Sequence, residues 1–337
     1  MSSNQPPLVT SPGVSSSATS TPEPQNANRF SNRLDIRHIL THRPPTLDYV
    51  LPGLLASSTG LIVGPGGVGK TMLELQIALG IASGESICGG LFESAPSGVA
   101  LEPEAAKVVL VVAEESLGVI WQRLHAIVST LVSDARMGCN HCNPDAMLEL
   151  WHANLHIHAL AGMGPVPLMG KGFERTAHFH DLQRVCEGAR LVILDPLRQF
   201  HQCEENDSAA MTCLAQHMQS IATSAVSAVL GAHHTNRASG ALGFGDTAGA
   251  SRGSSALTDA VRWQLNLSAP TKDGAKYHGI AEQERKNHLL VDLPKANYVA
   301  PQKTRVLQRL DHGVLVCVDE GGFDAQTPNG KTYRRKP

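Results

Sequence analysis

Aromatic residues are scarce in this sequence: Phe, Tyr and Trp together make up 4% of 337 residues. A platform that stacks successive bases on aromatic rings is therefore not its main recognition device. Net positive charge is missing too. There are 28 Lys and Arg against 30 Asp and Glu, a formal net charge of -2. No overall basic field draws in nucleic acid, so such a ligand would be held by local basic groups, repeated around an oligomer. No apolar run approaches the roughly 18 residues that span a bilayer. No charged segment followed by an apolar one opens the chain, so neither membrane association nor a signal peptide is expected. The 7 Cys are scattered and odd in number. They form no disulfide framework and fit a reducing cytoplasm.

What remains is a globular composition, 42% hydrophobic and 17% charged, long enough for one large α/β domain or two small ones. Residues 1–34 are rich in Ser, Pro, Thr and Asn and should be a disordered tail. The folded part is expected over 35–320, with 47–52 as its opening stretch. Residues 321–337 close the chain as a loose tail ending in Lys331, Arg334, Arg335 and Lys336. Short apolar runs at 60–63, 107–113, 155–160, 190–194, 225–232 and 261–268 alternate with helical patterns at 70–82, 117–132, 179–188 and 209–223. Alternation of this kind predicts a mainly parallel twisted sheet with helices on both faces. After Ser268 the helices should stop, and stretches at 288–293, 304–310 and 314–318 predict an antiparallel C-terminal extension.

The string Gly64-Pro65-Gly66-Gly67-Val68-Gly69-Lys70-Thr71 fits the phosphate-binding pattern G-x-x-x-x-G-K-[ST] in full. It follows an apolar strand and opens a helix that begins with Met72, Leu73 and Leu75. Glycines there let backbone N–H groups cradle phosphate at a helix N-terminus. Lys70 should reach the β- and γ-phosphates of ATP, and Thr71 should ligate Mg²⁺. The metal also needs an acid at a neighbouring strand end. Asp195 closes the run Leu191-Val192-Ile193-Leu194 and suits that place. Hydrolysis further needs a base for the attacking water. Another strand ends in Glu114 and Glu115; Glu114 is favoured as the base, with Glu115 as the alternative N-terminal helix acid.

The strand at 225–232 runs into His233-His234. A polar residue there can sense the γ-phosphate, and a buried, hydrogen-bonded imidazole is the competing reading. Arg262, between Val261 and Trp263, is either a salt-bridged edge residue or a finger that reaches an adjacent subunit's ATP. Cys139 and Cys142, with His141, His152, His156 and His158 nearby, make half of a zinc site. A second Cys pair is missing, and His156 and His158 alternate with Leu155 and Ile157 as one strand face, so a surface loop is favoured.

These residues resemble one family. The stretch 47–52, the phosphate loop with its helix, and Ala113-Glu114-Glu115 match it. So do Arg198, Phe200-His201, Glu204-Glu205-Asn206, Ser251-Arg252-Gly253-Ser254-Ser255, Arg262-Trp263-Gln264 and Lys295-Ala296-Asn297-Tyr298. In this order they are similar to the RepA-type hexameric replicative helicases of broad-host-range plasmids, within the RecA-like group. The resemblance implies ATP-driven movement of a homohexamer along single-stranded DNA. It implies Glu114 as catalytic base, His234 as γ-phosphate switch, Arg262 as arginine finger and Lys295 as a second trans-acting cation. Central DNA loops would span 162–176 and 236–250, with Lys171, Arg175 and Arg237 as candidate phosphate contacts and solvated loop charge as the plainer reading. A replication initiator and a primase become candidate partners. A RecA-like DNA-binding ATPase that acts as a loading or repair switch without unwinding is the alternative function. A small-molecule kinase would need an Arg-rich lid segment, and none is visible.

Overall fold

A computed structural model describes residues 33–85, 91–92, 104–132, 144–234 and 255–318. The expected C-terminal tail, and all but the last two residues of the expected N-terminal one, lie outside them. The chain divides into a unit ending at Thr46 and a unit from Leu47 onward. The first contributes one short helix, α1 (Ile36–Thr41), capped by Asp35, whose carboxylate accepts from the His38 amide at 3.1 Å.

The second unit is built on a sheet of nine strands. A two-stranded hairpin, β1 (Tyr49–Leu51) and β2 (Leu54–Leu55), precedes them. The sheet strands are β3 (Thr59–Gly64), β4 (Val108–Val112), β5 (Leu155–Ala159), β6 (Leu191–Asp195), β7 (Ala228–His234), β8 (Trp263–Ser268), β9 (His288–Ala296), β10 (Arg305–Arg309) and β11 (Leu315–Cys317). Their order is β11-β10-β9-β8-β3-β7-β6-β4-β5. The six strands from β8 to β5 are parallel, and β9, β10 and β11 extend the β8 edge antiparallel. The predicted fold class is the observed one.

The central strands β3, β4 and β6 are buried at every position. That is why each reads as an unbroken apolar run rather than an alternating one. Their residues divide between two cores. Ile62 and Leu110 pack on one face with Leu73 and Leu75 of α2 (Lys70–Ser83), Ile120 of α3 (Leu117–Ile127) and Trp151 of α4 (Pro144–Asn154). Leu61, Val63, Val109 and Val111 pack on the other with Phe179 of α5 (Ala177–Val185), Leu214 and Met218 of α6 (Ser208–Ala225) and Leu257 of α7 (Ser255–Ala260). Polar groups tie the layers together. Gln76 of α2 donates to the Leu315 carbonyl at 2.8 Å and accepts from the Leu315 amide at 2.9 Å, clamping the edge strand β11. The buried Trp263 donates to the Pro52 carbonyl of the hairpin at 3.0 Å.

Several expectations need correction. Helices do not stop after Ser268: α8 (Lys272–Tyr277) follows, its first turn capped by Thr271. The strand expected from residue 225 begins at Ala228, because α6 runs through Ala225 and ends where Val226 takes a left-handed φ of 53°. α4 was not expected at all. Met147 and Trp151, an i, i+4 pair, are its buried anchors, while Leu148 on the same helix is exposed. Among the described residues no helix is long and apolar enough to cross a membrane.

Candidate active site

Strands β3, β7, β6 and β4 are consecutive neighbours in the sheet, and all point the same way. Their carboxyl ends therefore lie side by side. In register, Gly64 of β3 pairs with His234 of β7, and Val112 of β4 pairs with Asp195 of β6. Four separated segments thus deliver the phosphate loop, His234, Asp195 and Glu114 to one edge, where ligands of open α/β sheets bind.

The loop from Gly64 to Lys70 fits its sequence signature. Gly67 and Gly69 have φ of +73° and +108°, and Gly69 is the N-cap of α2. Side chains rarely adopt those angles, and an added Cβ at Gly66 or Gly67 would point into open space. The Val68 amide donates to the Pro65 carbonyl at 3.3 Å, closing the turn. Lys70 is buried and donates to the carbonyls of Gly64 at 2.9 Å and Pro65 at 3.2 Å. Its Nζ also lies 3.3 Å from Nδ1 of His234. Thr71 donates to Oδ2 of Asp195 at 2.7 Å, which brings the hydroxyl and carboxylate together as a divalent cation would require. Met72 is buried and lines the same cavity as Lys70 and Thr71.

One cavity of about 460 Å³ joins these groups. Gly67, Gly69, Lys70, Thr71, Glu114, Asp195 and His234 line it. Burial pushes the Lys70 ammonium below its usual range, opposed by Glu74, Asp195 and Glu114. Burial, followed by the nearby Lys70 charge, lowers His234 as well. Both shifts favour the uncharged imidazole, and Nδ1 is the ring nitrogen that faces Lys70.

Arg309 and His312, which also line the cavity, escaped the sequence. Arg309 ends β10 and His312 lies in the turn between β10 and β11, and Arg309 donates to the Val68 carbonyl at 2.8 Å. Arg123 of α3 pairs with Glu115. Desolvation raises Glu115, and Arg123 opposes that shift. Glu114 is exposed and accepts from Nε2 of Gln199 at 3.3 Å.

Glu74 is the most unusual of the missed residues. It is fully buried on α2, one turn beyond Lys70, and its carboxyl lies beside that of Asp195. Burial, then the charge of Asp195, holds it well above the usual carboxylate range, with Lys70 opposing. An acid whose folded pKa is raised favours the native state at low pH. That contribution is lost as pH rises above the usual carboxylate range toward the raised value. In nucleotide-free protein, Glu74→Gln is expected to add about 1–3 kcal/mol at neutral pH, a rise of roughly 2–10 °C in melting temperature. The gain should shrink toward pH 4. Thermal melts across pH check this; a Gln variant that is less stable throughout contradicts it.

Arg262 and Lys295 are not in the cavity. β8 runs parallel to β3, with Trp263 level with Gly60. Arg262 therefore sits at the amino end of the sheet, its amide bonded to the Thr59 carbonyl at 3.1 Å and its side chain exposed. Gly60 to Gly64 alone spans roughly 13 Å of strand. Lys295 is beside it, donating to the carbonyls of Thr258 at 2.7 Å and Asp259 at 3.0 Å. Arg175 is engaged within the fold: it donates to Ser220 at 2.8 Å and lies 4.6 Å over the Phe179 ring. Lys171 is exposed. Arg237, the 236–250 loop and residues 251–254 fall outside the described residues. So do Cys139, His141 and Cys142, and no cluster of three or more metal-ligating side chains forms among the residues described.

A model of the AAA domain family matches residues 22–240, more than half of the chain, and takes in Lys70, Thr71, Glu114, Asp195 and His234. The chain belongs to the AAA domain family. Arg262, Lys295 and Arg309 of this AAA domain protein lie beyond the matched stretch. Solved structures share its fold at low identity. A DnaB-like replicative helicase, described with its interactions with primase, matches with a TM-score of 0.50 at 15% identity, over 78% of this chain and 58% of that one. The chain thus spans less than two thirds of that helicase. A solved ATPase domain (TM-score 0.49, 15% identity, 78% of this chain and 86% of that one) and the RadB recombinase (TM-score 0.45, 16% identity, 80% and 92%) are more distant in shape.

Proposed function

We propose that this chain is an ATP hydrolase that assembles as a ring, a homohexamer, and moves along single-stranded DNA as a helicase of plasmid or mobile-element replication. One observation carries the reading. A complete phosphate cradle occupies the carboxyl edge of the sheet, while two cations, Arg262 and Lys295, stand together at the amino end, on the far side of the sheet from it. Cations so placed serve a neighbouring copy's ATP rather than their own. The fold shared with a replicative helicase agrees with this.

In this reading the backbone amides of 66–71 and the α2 N-terminus bind the triphosphate. Lys70 turns from the Gly64 and Pro65 carbonyls to the β- and γ-phosphates. Thr71 and Asp195 would hold Mg²⁺, which neutralises charge on the phosphate oxygens. Glu114 orients the attacking water and takes its proton as the new P–O bond forms and ADP leaves. His234 contacts the γ-phosphate and registers its departure. Arg262 of a neighbouring copy stabilises charge in the transition state. The 162–176 and 236–250 loops would face DNA, with Lys171 and Arg237 as contacts. The domain would span 35–320 between two tails, in the cytoplasm, with an initiator and a primase as partners.

The test pairs solution mass, with and without Mg-ATP, with turnover in the presence and absence of single-stranded DNA. A ring whose turnover rises with DNA and which separates a forked duplex is expected. A monomer with DNA-insensitive turnover contradicts it. DNA-stimulated turnover without strand separation would instead make the chain a loading or repair switch.

A further inference from the structure

Gln199 connects two features that are otherwise apart. It lies in the 3-10 turn Leu197–Phe200, directly after β6 and Asp195. The turn is firmly seated. Leu197 and Phe200 are buried, and a Cβ added to Gly231 of β7 would come within 2.5 Å of Leu197. The Gln199 amide donates to the Pro196 carbonyl at 3.0 Å. From this base the side chain reaches across to the next strand end, where Nε2 donates to Oε1 of Glu114 at 3.3 Å.

The main chain of the same turn holds a different segment. The Gln199 carbonyl accepts from the Val166 amide at 3.1 Å, and the Phe200 carbonyl accepts from the Leu168 amide at 2.8 Å. Met169 continues the ladder with a bridge to His201. Leu168 and Met169 are buried, whereas 162–165 and Lys171, Gly172 and Glu174 are exposed. The segment is therefore an exposed loop with a backbone root, and that root is bonded to the residue whose side chain holds Glu114.

We propose that Gln199 is a positioning residue: it restrains the Glu114 carboxylate, and displacement of the 162–176 loop releases it. This rests on the reading that single-stranded DNA engages that loop. An amide donor occupies a lone pair of the carboxylate and fixes its direction, both of which oppose engagement of water. The bond is single, long and exposed, so it is weak enough to be given up when the ladder shifts.

The test is the steady-state turnover of Gln199→Leu, which keeps the side chain's bulk and lacks the donor, measured without DNA and with saturating oligodeoxythymidine. DNA-free kcat should rise about three- to tenfold with the KM for ATP unchanged, and stimulation by DNA should shrink by the same factor. A kcat that is unchanged or lower without DNA, or a change confined to KM, overturns the proposal. Gln199→Ala gives the same readout if the Leu variant fails to fold. If the native chain is not stimulated by DNA, the helicase reading fails, and the DNA-free rate alone still decides the role of Gln199.

Discussion

Arg262→Ala is expected to lower ATP turnover on the order of a thousandfold while ATP affinity stays within a few-fold of the native value. The reason is position. Arg262 is exposed at the amino end of β8, with Trp263 level with Gly60, so it cannot reach the loop that follows Gly64 in its own chain. Its loss removes charge stabilisation from a neighbouring site and leaves the local cradle intact. The defect should also pass between copies. Doping native protein with the variant should depress turnover more than in proportion to the fraction added. Equilibrium binding of a fluorescent ATP analogue alongside a turnover assay separates the effects. Unchanged turnover, or lost binding, removes the finger role.

Glu114→Gln carries the second large effect. Loss of a general base typically costs about 10²–10⁴ in rate, and here it should leave nucleotide binding in place, because Lys70, Thr71 and Asp195 are untouched. Glu115→Gln provides the contrast. Glu115 is paired with Arg123 on α3 and has its charge engaged there, so its replacement should cost less turnover than that of Glu114. A Glu115 variant as dead as the Glu114 one would reverse the assignment that the strand end suggested.

What could be read from the sequence was what a contiguous pattern or a strand end encodes. The loop from Gly64 to Thr71 is a single string, and its backbone needs are met by its own glycines. Asp195 and His234 each close an apolar run, so their arrival at one sheet edge follows from parallel strands ending together. The groups that escaped come from chain approach rather than chain pattern. Arg309 and His312 reach the cavity because the antiparallel extension folds back over α2, a consequence of pairing order. Gln199 becomes relevant only once β4 and β6 are neighbours. Glu74 left a signal: an acid between Leu73 and Leu75 in a helix that is apolar on nearly every side. α4 hid because its apolar residues do not line one face: Met147 and Trp151 dock it, while Leu148 is exposed.

The most direct check is to see where a triphosphate sits. A crystal structure of the slow Glu114→Gln variant grown with Mg-ATP should place the γ-phosphate against Lys70 Nζ and the metal between Thr71 and Asp195. Arg262 of an adjacent copy should approach from across the interface. A triphosphate found elsewhere, or bound with Lys70 still turned to the Gly64 and Pro65 carbonyls, would contradict the assignment of this edge as the motor site.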